Sequence, residues 1–175
     1  GLYATAVKLI IFIYVIPSVI SNIIYPKIIE MHKKLSKSQF IKKLNLIYFL
    51  NLLIALSILI FFMLFGEWII LTLFGEGFKS SVEVLFIYSF GLVFVFFSAN
   101  NNKLLMMDNL QKLMLGRNVF GLILNIILNI ILIPKYGING AAFATVLTEI
   151  FILLSYELNK KTKYIMYLQL RSFIY

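Results

Sequence analysis

The sequence predicts an all-α integral membrane protein with about five membrane-spanning helices, and three observations carry that expectation. First, 62% of the 175 residues are hydrophobic and only 13% are charged, where a soluble domain of average composition carries roughly 25%. Second, the apolar residues fall in runs of about 20, the length that crosses a ~30 Å hydrocarbon core at ~1.5 Å per residue. Third, Lys and Arg gather in the short segments between those runs. That is a topology pattern, and it argues against reading the net charge of +9 as a nucleic-acid surface.

The first predicted span covers about 3–24, with Pro17 inside it and Pro26 near its end. A basic segment, 27–43, follows with six lysines against one acid, Glu30. Its histidine, His32, is the one in the chain. It has no second histidine at ligand spacing and reads as a solvated loop residue. The second span, 44–65, ends at Gly66-Glu67-Trp68, where Trp68 takes the place of an interfacial aromatic anchor. A short apolar piece runs on to Phe74, and Gly75-Glu76-Gly77 makes a turn.

The third span, 82–99, stops at Asn100-Asn101-Asn102, read as a helix-ending cluster. The fourth, 113–133, is closed by Pro134, and Pro134-Lys135-Tyr136-Gly137 is a tight turn. The fifth is 138–158. The predicted organisation is therefore a transmembrane bundle over 1–158 and a cytoplasmic tail over 159–175.

Orientation follows from the cations. Segments 27–43, 100–117 and 159–175 carry six, three and four Lys or Arg, thirteen in all, while the alternating segments carry only Lys79 and Lys135. The basic segments and the C-terminus are expected in the cytoplasm, which with five spans puts Gly1 outside. The first span has no basic leader and no small-residue cleavage site, so it does not read as a signal peptide. An outward-starting, odd set of spans is expected of the C-terminal part of a longer protein.

No catalytic constellation is visible. The chain has no cysteine, no paired carboxylates at helical spacing, no Ser with His and Asp, no metal-ligand cluster and no phosphate-cradling glycine loop. The expected class is not an enzyme, and neither a cofactor nor a metal is expected.

A charge at mid-bilayer costs ~3 kcal/mol on insertion scales, so polar residues within the spans need a reason. Glu149 lies about eleven residues into the fifth span. Ala141, Thr145 and Glu149 share one stripe, and Gly140, Ala144 and Thr148 form the next. Small residues at this spacing let helices approach closely. Glu149 is therefore expected to face the bundle, either as a hydrogen-bonded packing residue or as a cavity carboxylate that takes a proton or a cation. Arg117, Gly121, Asn125 and Asn129 step by four along the fourth span. They read either as an interhelical hydrogen-bonding face with a snorkelling arginine, or as the lining of a hydrated cavity. In the second case Arg117 is an anion contact. Lys8, near the outer end of the first span, either snorkels or contacts a phosphate-bearing substrate. Pro17 removes a backbone donor mid-span and marks a kink or hinge.

The stretch from Ile133-Pro-Lys-Tyr-Gly-Ile-Asn-Gly-Ala-Ala to Glu149 resembles a hallmark of the polysaccharide transporters. These are the O-antigen and exopolysaccharide flippases of the superfamily that also holds multidrug extrusion transporters and lipid II flippases. In them a helix with an Asn pair, which Asn125 and Asn129 fit, ends in a Pro–x–Tyr–Gly turn before a Gly-Ala-Ala-rich last helix. Leu73–Lys79 looks like the family's extracytoplasmic segment, and Gly1–Leu9 like the start of the second helix of the C-terminal lobe.

The resemblance implies twelve spans in two lobes, with this chain as spans eight to twelve. It implies transport of a polyprenyl-pyrophosphate-linked oligosaccharide (an O-antigen, capsule or exopolysaccharide unit) across the bacterial cytoplasmic membrane by alternating access. The partners would be that substrate, membrane lipids, the N-terminal lobe and a coupling ion, proton or sodium, with no nucleic acid. Lys8 and Arg117 are then the expected anion contacts, Glu149 the ion-coupling group, and Asn125 and Asn129 a cavity or packing face. Three alternatives stay open. One is a drug/cation antiporter of the same superfamily, favouring acidic cavity residues. Another is a polytopic enzyme of polysaccharide assembly, needing a large outer loop or an acidic cluster. The third is an accessory membrane subunit.

Overall fold

Peptide groups inside a bilayer have no water to bond, so a spanning segment must satisfy its own backbone, as a helix does. The computed structural model describes the backbone of residues 2–173 and the side chains of residues 13–173, and the described residues contain helices and turns but no strand. The helices are α1 (Leu2–Lys34), α2 (Lys37–Phe74), α3 (Ser80–Met107), α4 (Gln111–Leu154) and α5 (Lys163–Ser172), with a 3-10 turn at Glu76–Phe78. Each of α1 to α4 includes a stretch long and apolar enough to cross a membrane. The chain is an all-α, multi-pass membrane protein.

α4 has 44 residues and would measure about 66 Å if straight. It is not straight. Gly137 takes φ 56° and ψ −132°, outside the helical region. Arg117 bonds to Ser155, and Asn125 to Thr148. Gly121 packs against Ile152. These pairs are centred on the same point of the chain, as in a hairpin. The two antiparallel legs, 111–136 and 138–154, correspond to the predicted fourth and fifth spans, so four helices make five passes. Pro134 withholds an N–H from the Ile130 carbonyl, and Gly137 supplies a positive φ that side chains resist. Gly140 then meets the returning chain backbone to backbone, because a Cβ there would collide with the Leu132 carbonyl.

Three expectations about helix ends are corrected. Segment 27–43 is not a loop: only Leu35 and Ser36 separate α1 from α2. A Glu30–Lys34 pair at 2.7 Å supports the last turn of α1. Ser36 opens α2 with a capping box, its amide donating to Gln39 Oε1 at 3.1 Å. His32 accordingly sits on a helix, with its ring edge-on to Phe40 at 5.0 Å. Next, α2 runs unbroken through Gly66-Glu67-Trp68 to Phe74. Gly66 serves close packing there, since a Cβ would lie 3.0 Å from Leu85 and Phe86 of α3. Finally, Asn100-Asn101-Asn102 does not end α3. Asn100 bonds back to the Phe96 carbonyl at 3.3 Å, and buried Asn101 accepts from the Tyr48 hydroxyl at 2.6 Å. With these amides bonded inside the bundle, the helix continues to Met107.

The segment predicted as a tail carries α5. Ile165, Leu168, Gln169 and Ser172 share one helical face and are buried. Ile165 and Leu168 join Phe40, Leu44, Leu104 and Leu105 in one core. A second core, including Ile70, Val82, Leu85 and Ala142, lies toward the opposite end. Tyr164 ties α5 to the α3–α4 turn by donating to Asp108 at 2.5 Å. Burial and the neighbouring carboxylate push this phenol above its usual range. One end thus gathers the α1–α2 turn, the α3–α4 turn and α5, with their thirteen cations. The other gathers the α2–α3 turn and the Gly137 hairpin, joined by Asn139 donating to Glu83 at 2.6 Å.

Gly140→Ala must push the two legs apart against a rigid backbone. It is expected to cost about 1–3 kcal/mol, read as a lowered melting temperature in detergent. Gly77→Ala, with nothing within 4 Å of its Cβ, should melt like the parent protein.

Candidate functional site

α1, α3 and the second leg of α4 converge at Gly91. A Cβ there would lie 2.8 Å from the Tyr14 hydroxyl and 3.2 Å from Val146. The missing side chain therefore sets how closely three helices meet. A polar seam runs along the junction of α3 and α4. The Tyr14 hydroxyl donates to the Tyr88 carbonyl, Tyr88 and Thr145 share a hydrogen bond at 3.3 Å, and Thr145 bonds back to Ala141 at 3.1 Å. One turn beyond Thr145, Glu149 Oε2 accepts from the Ser98 hydroxyl at 3.4 Å. The Ala141–Thr145–Glu149 stripe thus faces α3, and Glu149 points into the bundle.

The seam opens beside Glu149 into a cavity of about 220 Å³. α1 contributes Tyr14, Pro17, Ser18 and Ser21; α3 contributes Ser98, Asn102 and Lys103. Pro17 donates no N–H, so the Ile13 carbonyl lacks its usual helical partner beside this cavity. Lys103 Nζ also lies 5.4 Å from the centre of the Tyr25 ring. Among the described residues the ion pairs are Glu30–Lys34 and Glu157–Lys163. Glu149 and Lys103 therefore share one cavity without being paired. No group of three or more metal-ligating side chains occurs among the described residues.

Lys103 was not among the sequence-derived candidates, because α3 was expected to end before it. Val95, Ser98, Ala99, Asn102 and Lys103 form one face of a continuous helix. That spacing was visible in the sequence once the asparagines are allowed inside the helix.

The remaining candidates separate. Arg117 holds the fold together away from this cavity. Its Nε donates to Ser155 Oγ at 3.1 Å and its Nη2 to Thr162 Oγ1 at 2.7 Å. The guanidinium lies 4.1 Å from the centre of the Tyr156 ring, while Nη1 is buried without a protein partner. Asn129 donates to the Asn125 carbonyl at 2.8 Å, and Asn125 donates to Thr148 at 3.3 Å. Asn125 thus bonds across the hairpin, while Asn129 bonds back within its own leg. The Lys8 side chain lies outside the described residues.

The site is a cavity bordered by an acid and a base within a polytopic helical bundle. Two known proteins resemble the chain. A capsular polysaccharide biosynthesis protein, CapF of Staphylococcus aureus, is 24% identical over 156 residues, 89% of this chain and 39% of that protein. An uncharacterized membrane protein of Methanocaldococcus jannaschii, MJ1068, is 28% identical over 127 residues, 73% of this chain and 25% of that protein. The chain thus spans well under half the length of these relatives. No family model matches it, and no solved structure matches it significantly.

Arg117→Ala should loosen the segment after α4. Hydrogen exchange over 155–172 is expected to speed up about tenfold, in line with losing charge-assisted bonds worth about 1.5–3 kcal/mol. Arg117→Lys should recover only part, because an ammonium reproduces neither the fork nor the stacking.

Proposed function

We propose that this chain forms most of the C-terminal lobe of a flippase. The cargo is a polyprenyl-pyrophosphate-linked oligosaccharide, carried across a bacterial cytoplasmic membrane without covalent chemistry. The observation that carries the reading is the cavity in which Glu149 and Lys103 lie unpaired within a spanning bundle. The match to a protein named for capsular polysaccharide biosynthesis supports the cargo class. A pyrophosphate that leaves water must find fixed positive charge. Lys103 supplies one such charge, and Lys8 is assigned a second. Arg117 positions the tail.

Glu149 is the ion-coupling carboxylate in this reading. Taking up a proton or sodium ion neutralises it, and releasing the ion restores a charge that the Ser98 hydroxyl stabilises. Pro17 borders the same cavity, so α1 is weakest where the charge changes. In this reading an N-terminal lobe rocks against this one to expose the cavity alternately to each side. The thirteen cations at one end support a cytoplasmic side for that end and for the C-terminus. A drug/cation antiporter of the same superfamily is the second reading, favoured by Glu149. A lysine in the same cavity suits an anionic cargo better.

The test restores the full gene to a strain lacking its flippase and measures surface glycan. Glu149→Gln and Lys103→Gln are each expected to lower export at least about tenfold with protein level unchanged, the scale of losing one charged contact. Parental export in both variants would remove the cavity from the mechanism. Topology has its own check. A cysteine replacing Glu76 should react with an impermeant thiol reagent on intact cells, and one replacing Lys34 only after permeabilisation; the reverse pattern overturns the orientation.

A further inference from the structure

We propose that the groove between the start of α2 and the end of α5 binds the phosphate of an anionic phospholipid in the leaflet at the basic end. The site is separate from the Glu149 cavity and does not depend on the transport reading. Lys37, Lys42 and Arg171 line a groove of about 450 Å³ with Ser38, Ile41 and Tyr167, and no acidic residue lines it. The acids near this end have other partners: Glu30 pairs with Lys34, Glu157 with Lys163, and Asp108 accepts from Tyr164. Among the described residues the three groove cations have no carboxylate within ion-pair distance. The first turn of α2 adds the positive end of a 38-residue helix. The Arg171 guanidinium sits 5.0 Å from the centre of the Tyr167 ring, which holds its fork at the groove.

The apolar half of the argument comes from α5. One face is buried against the bundle, while Tyr167 and Leu170 on the other are 54% and 53% exposed. A short helix that is apolar outward and flanked by cations, at the end of a spanning bundle, lies in the headgroup zone. An occupant must therefore offer a negative charge to three cations and hydrocarbon to Ile41, Tyr167 and Leu170. A phosphatidylglycerol-type lipid offers both, whereas inorganic phosphate offers only the first.

The test is native mass spectrometry of the intact protein in micelles, titrated with phosphatidylglycerol or phosphatidylcholine. The parent protein is expected to retain phosphatidylglycerol in preference. The variant Lys37→Gln/Lys42→Gln/Arg171→Gln should lose that preference, by about fivefold per cation removed. A control of equal charge change, Lys33→Gln/Lys160→Gln/Lys161→Gln, should keep it. Lys42→Gln alone gives a graded loss if the triple variant does not fold. Undiminished retention in the groove variants, or an equal loss in the control, overturns the site. Displacement of phosphatidylglycerol by inorganic phosphate at equal concentration overturns the lipid assignment.

Discussion

The backbone contact between Leu132 and Gly140 governs much of this structure. α4 is two helical legs that fold back on each other within a few residues of Gly137. It can do so only because Pro134 ends one ladder of hydrogen bonds, Gly137 takes a backbone angle closed to other residues, and Gly140 has no side chain in the way. The return sets the second leg between the first leg and α3. The second leg carries the small-residue stripe that meets α3, so Glu149 reaches its cavity through the hairpin. Arg117, Gly121 and Asn125 find Ser155, Ile152 and Thr148 through the same geometry.

The membrane character of the fold was legible because it rests on quantities that add along a chain, namely the length of apolar runs and the placement of cations. The inward face of Glu149 was legible from the spacing of Ala141, Thr145 and Gly140, which describes one helix and needs no neighbour. Helix ends were not legible at Asn100-Asn101-Asn102. An asparagine run terminates a helix in water, where its amides compete for the backbone. In the bundle, Tyr48 from another helix supplies a partner, and no local pattern announces that. Lys103 was lost to the same misreading. The lysine-rich segment 27–43 failed differently: charge density suggested a loop, while the Ser36–Gln39 capping box was the stronger local signal.

The polar residues of the spans divide between two tasks. Asn125 and Arg117 bond across to other segments of the chain, and Asn129 bonds back to Asn125 one turn away in the same leg. Glu149 and Lys103 border open space, with the Ser98 hydroxyl beside Glu149 and the Tyr25 ring face beside Lys103. Burial cost applies to both groups, and Arg117 also borders open space, a cavity of about 340 Å³ that it lines with Lys112, Ser155 and Asn159. Sequence spacing alone weighs the two groups alike; their partners tell them apart.

Beyond Arg117, the first leg of α4 buries only Gly121. Ile123, Ile126, Ile127, Ile130 and Ile131 all point away from the rest of the chain. This leg is an outrigger, attached along its length by the Asn125–Thr148 bond and the Gly121 notch. Its apolar stretch of about 21 residues measures about 31 Å, close to the thickness of a bilayer core. Hydrophobic matching therefore acts on the bundle through this leg: a thinner or thicker bilayer tilts it against its fastenings. Lipid thickness becomes a mechanical input to the strip of helix that holds Glu149.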